Sequence, residues 1–257
     1  YEQISEEDIS LIPTKYIFTI NANPTKLIND LIEFKNKLKE FLRNNPLPGG
    51  AIYEKDTSFD YEQFGCAPQR ILDFFAFDNH LFKPLIYKSK SKELDFIKIS
   101  PVPLVESERD FIKFLKQYLE DKNRKIPFDE IYLLRNPSRK GIGFFETQKF
   151  YPDFILWTIK GEDQTITFID PKGLVMVDYE NEKLELYEKI KEIETRINER
   201  EGLNIRLNSF ILSHTSYDTL KLKWKVSMDD LKNKNILFLK DEGIDVIDQL
   251  FKKIEES

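Results

Sequence analysis

Tyr151-Pro152-Asp153-Phe154-Ile155-Leu156-Trp157-Thr158-Ile159 is the stretch of sequence that decides the fold of this chain. Its apolar part, from Phe154 to Ile159, predicts a β-strand, and a second apolar run from Thr165 to Ile169 predicts the next strand. The polar residues between them, Lys160 to Gln164, predict a connecting turn. The two runs together therefore predict a β-hairpin.

Two carboxylates and one amine belong to the open end of this hairpin. Asp153 directly precedes the first strand, and Asp170-Pro171-Lys172 follows the second. Folding the hairpin about Glu162 places Asp153 opposite Pro171, within one residue of Asp170. Because side chains alternate between the two faces of a strand, Asp170 and Lys172 point the same way. We therefore expect the three charged groups to converge.

These residue types suit metal-assisted cleavage of a phosphodiester. Hard divalent cations such as Mg²⁺ prefer oxygen ligands and are usually held by one or two carboxylates, a role that suits Asp153 and Asp170. A bound cation polarises the scissile phosphate and lowers the pKa of a coordinated water. The Lys172 amine is placed to orient that water or to neutralise charge that develops on the phosphorane.

The arrangement resembles the PD-(D/E)xK nuclease superfamily, with Asp153 at the first acidic position, Asp170 at the second and Lys172 at the lysine. The bare motif is short and arises often by chance, so its setting on two apolar strands is what gives it weight. The simpler alternative is that Asp153 follows a turn proline and that Asp170-Pro171 ends a strand.

Members of this superfamily usually carry a further acidic residue on a helix before the hairpin. A helix of this kind is predicted after Val105, and its apolar residues recur at helical spacing: Phe111, Phe114, Leu115, Tyr118 and Leu119. Glu108 lies on the same flank as this stripe and faces inward more than Glu106 does. The resemblance therefore implies Glu108 and the backbone carbonyl of Pro171 as further metal ligands beside Asp153 and Asp170.

A closer resemblance is to the nuclease region at the C-terminal end of helicase-nuclease proteins related to the type III restriction subunit. It spans roughly residues 78 to 174 and rests on Asp78 to Leu85, Glu108 to Phe111, Leu134 to Asn136, Gly141 to Phe144, Phe150 to Phe154 and Ile169 to Leu174. The chain has no Walker-type glycine loop, helicase acidic box or methyltransferase motif. The resemblance implies that a helicase/ATPase region lies elsewhere in the same or an associated polypeptide, and a start at Tyr1 rather than Met agrees with an excised nuclease end.

Composition indicates an ordinary soluble globular protein. With 257 residues, 40% hydrophobic and 33% charged, the chain is long enough for one large domain or two smaller ones. No apolar run approaches the roughly 20 residues of a membrane span, and no signal peptide is visible. The single cysteine, Cys66, allows no internal disulfide, and two histidines do not complete a zinc site with it. We therefore expect a cytoplasmic protein without a membrane partner.

Net charge is the main argument against a nucleic-acid partner. The chain carries a net charge of −6, whereas DNA binding draws on lysine and arginine against phosphates. Local basic stretches counter this, and Arg135, Arg139 and Lys140 are predicted to bind nucleic acid because they adjoin the hairpin. A further run, residues 221–225, alternates lysine with apolar residues and predicts a strand with a basic outer face. A solvated surface stays the alternative for each cluster.

A proline-rich segment, Ser100-Pro101-Val102-Pro103, marks the predicted boundary between two regions. Residues 1–100 are predicted to form an N-terminal α+β accessory region, with a helix over 24–42 and strands near 16–20, 51–53, 71–77, 81–87 and 96–99. Residues 101–257 are predicted to form the nuclease domain. Its elements are the helix with Glu108, strands at 131–134 and 143–145, the hairpin, a helix over 182–201, strands at 205–212 and 236–239, and a last helix over 241–254. This order predicts a restriction-endonuclease-like α/β fold, a mixed central sheet flanked by helices.

The function expected from these residues is a Mg²⁺-dependent DNA endonuclease domain of a restriction or phage-defence helicase-nuclease, with Mn²⁺ as a substitute cation. The alternative is a catalytically weak nuclease-like module that binds nucleic acid or a partner subunit, although the intact acidic and lysine positions argue against degeneracy. Two further groups have simpler explanations. His80 is expected to be a hydrogen-bonded turn residue, and Ser213-His214 the end of a strand.

Overall fold

The structure is a computed structural model that describes residues 17–20, 57–60, 70–75, 85–89, 97–100, 102–136 and 151–257. The chain divides into two compact units, residues 1–106 and 107–257. None of the helices in the described ranges combines the length and the hydropathy needed to cross a membrane.

The first unit contains two small antiparallel sheets. One pairs β1 (Ile17–Ile20) with β5 (Ile97–Ser100), and the other has the order β2 (Thr57–Asp60), β3 (Arg70–Phe75), β4 (Leu85–Lys88). Strands were predicted at or next to four of these positions, whereas β2 was not predicted. The predicted helix over 24–42 and strand at 51–53 lie outside the described residues, as do His80 and Cys66.

The second unit is built on a five-stranded mixed sheet with the order β10-β9-β8-β7-β6. Its strands are β6 (Glu130–Arg135), β7 (Phe154–Lys160), β8 (Asp163–Lys172), β9 (Ile205–Ser213) and β10 (Ile236–Leu237). The first three form an antiparallel meander, and β9 runs parallel to both β8 and β10. The predicted mixed sheet is therefore present, while the predicted strand at 143–145 lies outside the described residues.

The hairpin of β7 and β8 is tighter than the polar run between its strands predicts. Lys160 pairs with Asp163, so the turn is two residues long instead of five. Gly161 has a φ of +61°, a conformation that a glycine adopts without steric cost and that two-residue hairpin turns require. The polar residues at this exposed end continue the ladder, and the register shifts by one from the predicted one. Phe154 pairs with Ile169. Asp153, one residue before Phe154, therefore lies opposite Asp170 and not opposite Pro171.

Helices cover both faces of this sheet. The aromatic ring of Phe111 on α1 (Glu106–Glu120) lies 5.2 Å from that of Phe154. The next residue, Ile155, points to the other face and packs in a buried cluster with Leu186 and Ile190 of α2 (Leu186–Glu201). A short 3₁₀ helix, Glu182–Glu185, precedes α2. The predicted flanking of a mixed sheet by helices is therefore confirmed.

The C-terminal part differs from the prediction in three places. Residues 221–225 do not form a strand. The first four lie in α3 (Tyr217–Trp224), and Lys225 is the C-cap of this helix, with a φ of 57°. A helix that was not predicted, α4 (Met228–Asn233), begins with a capping box at Ser227. The expected last helix is divided at Gly243 (φ +55°) into α5 (Leu239–Glu242) and α6 (Asp245–Glu255), and β10 ends at Leu237.

Candidate active site at the end of the central sheet

One end of the five-stranded sheet collects the polar residues that the sequence singled out. β6, β8 and β9 end there and β7 begins there, because β7 is antiparallel to its neighbours while β8 and β9 are parallel. The first turn of α1 contacts the same end through Ser107, Glu108 and Asp110. We name this group of strand ends and helix turn the candidate site.

Asp153 and Asp170 lie side by side at the centre of the candidate site. Asp170 is buried, with 7% of its surface exposed, and a hydrogen bond joins the two carboxyl groups. Burial, followed by the charge and the hydrogen bond of Asp170 and then the charge of Glu108, raises the pKa of Asp153 from 3.8 to about 9. Two carboxyl groups at this spacing therefore resist ionising together in the absence of a cation.

Lys172 is joined to this pair. Its ammonium group forms an ion pair with the carboxylate of Asp170, two residues earlier on the same face of β8. The Lys172 charge also opposes the rise in the pKa of Asp153. The structure thus brings together the two aspartates and the lysine that the motif names.

Glu108 approaches the aspartates from α1. Only 8% of its surface is exposed, as predicted for an inward-facing residue, whereas Glu106 is exposed. Its carboxylate accepts a hydrogen bond from the Arg135 guanidinium at 3.2 Å. Arg135, predicted to bind nucleic acid, is therefore an ion-pair partner of the third acidic residue. Arg139 and Lys140, predicted for the same role, lie outside the described residues.

The Pro171 carbonyl, predicted as a metal ligand, has a partner within the protein. The Ser107 hydroxyl donates a hydrogen bond to this oxygen at 2.7 Å, in a buried position. Ser107 precedes Glu108 on α1, so this bond ties the helix turn that carries Glu108 to the strand end that carries Lys172. Sequence reasoning missed Ser107, and the only signal for it was its place next to Glu108.

Asn136 holds the backbone before Asp153. Its own backbone N–H donates to the Asp153 carbonyl at 2.8 Å, and its side-chain amide donates to the Pro152 carbonyl at 2.8 Å. Both contacts continue the pairing of β6 with β7 past Arg135. In the sequence, Asn136 belongs to a segment that carries the resemblance, but its role in positioning Asp153 was not predicted.

His214 also belongs to the candidate site. β9 ends at Ser213, as predicted, and the His214 backbone N–H then donates to the Lys172 carbonyl at 2.8 Å. The imidazole Nε2 lies 2.9 Å from Oδ2 of Asp110 on α1. The signal that could have found it is its rarity, since the chain has two histidines.

Two observations bear on what this arrangement can hold. Within the part of the chain that the structure describes, no group of three or more His, Cys, Asp or Glu residues is arranged to hold a metal ion. The oxygens of Asp153 and Asp170 nevertheless form a pair of the type that Mg²⁺ takes when water and phosphate complete its shell.

Comparison with known protein families, with characterised proteins and with solved structures gives no significant match for this chain.

Proposed function

We propose that residues 107–257 form a metal-dependent nuclease that hydrolyses phosphodiester bonds of DNA. The observation that carries this proposal is the pair of carboxyl groups of Asp153 and Asp170, set opposite each other by the hairpin register and lying beside the Lys172 ammonium. The mixed sheet flanked by helices is compatible with the restriction-endonuclease-like fold, which is part of this proposal.

The donor set of the candidate site fits Mg²⁺ or Mn²⁺. Both carboxylates offer hard oxygen ligands. Burial and then the neighbouring Asp170 raise the pKa of Asp153, and a divalent cation held by the two groups would favour their ionised forms. The proposal depends first on Asp153 and Asp170, which the hairpin brings together, while Glu108 pairs with Arg135 and the Pro171 carbonyl accepts from Ser107. A role for Glu108 and Pro171 as additional ligands stays a prediction.

In the proposed reaction, water attacks the phosphorus in line with the leaving oxygen, and the P–O bond to that oxygen breaks. A divalent cation in this site supplies charge stabilisation to the phosphate and lowers the pKa of bound water. Lys172 would position the attacking water and offset charge on the phosphorane, for which its ammonium group is held on the same face as Asp170. The hydrogen bond of Ser107 would hold α1 against the end of β8, and that of Asn136 would hold the backbone before β7 next to the end of β6.

A second function, binding of nucleic acid or of a partner subunit without cleavage, has one observation in its favour. No preassembled group of three ligands is found among the described residues. Metal affinity separates the two functions, because a module that only binds has no reason to hold a divalent cation at Asp153 and Asp170.

The experiment is plasmid nicking with the wild type, Asp153→Ala and Asp170→Ala in Mg²⁺, Mn²⁺ or EDTA. We expect cleavage only with a divalent cation and none with either variant, because each removes a charge that holds the cation. Asp163→Ala is the matched control, since Asp163 lies on the same strand at the opposite end and pairs with Arg206 at 3.0 Å. Cleavage in EDTA, or undiminished cleavage by both site variants, would contradict the proposal.

A further inference from the structure

A cluster of three charged or polar side chains lies on the β9 side of the candidate site. Asp110 is at its centre. Its Oδ1 accepts hydrogen bonds from the Arg109 Nε and Nη2 atoms at 2.8 and 2.6 Å, and its Oδ2 lies 2.9 Å from the His214 Nε2 atom. The side chains of Arg109, Asp110 and His214 are 25%, 20% and 23% exposed, so the cluster is partly open to solvent.

The cluster adjoins the part of the candidate site that carries Glu108 and Lys172. Arg109 follows Glu108 on the first turn of α1, and the His214 backbone donates to the Lys172 carbonyl. These contacts place the cluster next to Glu108 and Lys172, two of the residues proposed to act at the scissile phosphate.

We infer that Arg109, held in place by Asp110 and His214, binds a backbone phosphate next to the scissile one. This inference rests on the proposed function, because it assumes a nucleic-acid substrate. Arg109 is the contact residue, and His214 is a positioning residue that fixes the second oxygen of Asp110.

The chemistry of the guanidinium group supports a phosphate as the ligand. A guanidinium carries its N–H donors in a rigid plane, and the Nε and Nη2 atoms of Arg109 both donate to Asp110. Because Asp110 is itself held from its other side by His214, the plane of the guanidinium is fixed before a ligand arrives. A fixed fork of donors matches the oxygens of a phosphate and loses little conformational entropy on binding.

Arg200 provides a matched control within the same chain. It also forms a hydrogen bond with the acidic residue that follows it, Arg200 Nε to Glu201 Oε1 at 2.5 Å, and its side chain is 80% exposed. It lies in the last turn of α2, which precedes the start of β9, whereas the candidate site lies at the end of β9. A general loss of one positive charge would affect Arg109→Gln and Arg200→Gln equally, but a specific phosphate contact would not.

The test is fluorescence anisotropy with a labelled DNA duplex of about 20 base pairs in Ca²⁺, over a range of KCl concentrations. For Arg109→Gln we expect affinity to fall about five- to tenfold near 0.1 M salt. The slope of log K against log salt should fall in magnitude by about 0.9, the value for one phosphate contact. Arg109→Lys should keep most of the slope but lose several-fold in affinity, because lysine lacks the fork. Mn²⁺ affinity should not change.

Equal affinities and equal salt slopes for Arg109→Gln and Arg200→Gln would overturn the inference, as would a wild type that does not bind the duplex. If Arg109→Gln does not fold, the comparison of Arg109→Lys with the wild type decides, and equal affinity would again overturn it. Failure of the nuclease proposal has a different signature. The wild type would bind DNA in an Arg109-dependent manner but would not cleave it with Mg²⁺ or Mn²⁺.

Discussion

Replacing Asp153 by asparagine should stabilise the metal-free protein, and the gain should grow with pH. Burial and the neighbouring Asp170 favour the protonated form of Asp153 in the folded chain, with a pKa of about 9 against an ordinary value of 3.8. The stability that this protonation contributes is complete below about pH 4. It is lost progressively as the pH rises from there through about 9. Asparagine keeps the shape of the protonated carboxyl group and does not titrate.

The magnitude follows from the size of the pKa shift. Roughly five pKa units at about 1.4 kcal/mol each give an upper bound of about 7 kcal/mol for ionised Asp153 at high pH. The ion pair of Lys172 with Asp170, together with solvent at the strand end, offsets part of this cost. We expect asparagine to gain about 2 kcal/mol at pH 8, equivalent to about 4–8 °C in Tm for a chain of this size.

The assay is thermal unfolding in EDTA at pH 4, 6 and 8, with Asp153→Asn compared with the wild type at each pH. Asp163→Asn is the control, because its side chain is 45% exposed and should change Tm little at any pH. Adding Mn²⁺ should raise the Tm of the wild type at pH 8 but not that of Asp153→Asn. The reasoning is refuted if Asp153→Asn is less stable than the wild type at pH 8, or if the difference between them does not depend on pH.

The remaining predictions concern the lysine and the core beneath the site. Lys172→Ala should bind Mn²⁺ as the wild type does but cleave on the order of 10²-fold more slowly, because an amine orients water and does not ligate the cation. Asp170→Ala should lose Mn²⁺ binding. Lys160, which is 55% exposed at the far end of the hairpin, provides the control, and Lys160→Ala should change neither Mn²⁺ binding nor the cleavage rate. Equal loss of Mn²⁺ by Lys172→Ala and Asp170→Ala in a titration would remove the role given to the lysine. Phe111→Ala should lower the free energy of unfolding by about 3–5 kcal/mol in urea, since the fully buried Phe111 ring packs on Phe154; a loss below about 1 kcal/mol would contradict that packing.

The strands and helices of the second unit could be predicted where hydrophobic periodicity was long. The apolar stripe of α1 and the apolar run of β7 each extend over enough residues to distinguish one period from another. The run at 221–225 was too short for this. Its first four residues lie in α3 and Lys225 caps that helix. Lys223 donates to the carbonyls of Val175 and Val177, a tertiary contact that local alternation does not reveal.

In the candidate site, too, the contact within the hairpin could be predicted, whereas the contacts between distant segments could not. The approach of Asp153 to Asp170 follows from the hairpin alone, and even an error of one residue in its register left the two carboxylates adjacent in the prediction. The partners of the other groups depend on pairings that span many residues: Ser107 with Pro171, 64 residues apart, and Asp110 with His214, 104 residues apart.

The contact of Asp110 with His214 requires that β9 runs parallel to β8, and both contacts require that the first turn of α1 reaches the strand ends. Neither condition has a direct signature in a hydrophobic pattern, because the apolar run of a strand reports burial of both its faces and not the direction in which it runs. The sequence could therefore predict that Asp153, Asp170 and Lys172 would converge at one end of the sheet. The contacts of Ser107, Asp110 and His214 that surround them depend on how these distant segments come together.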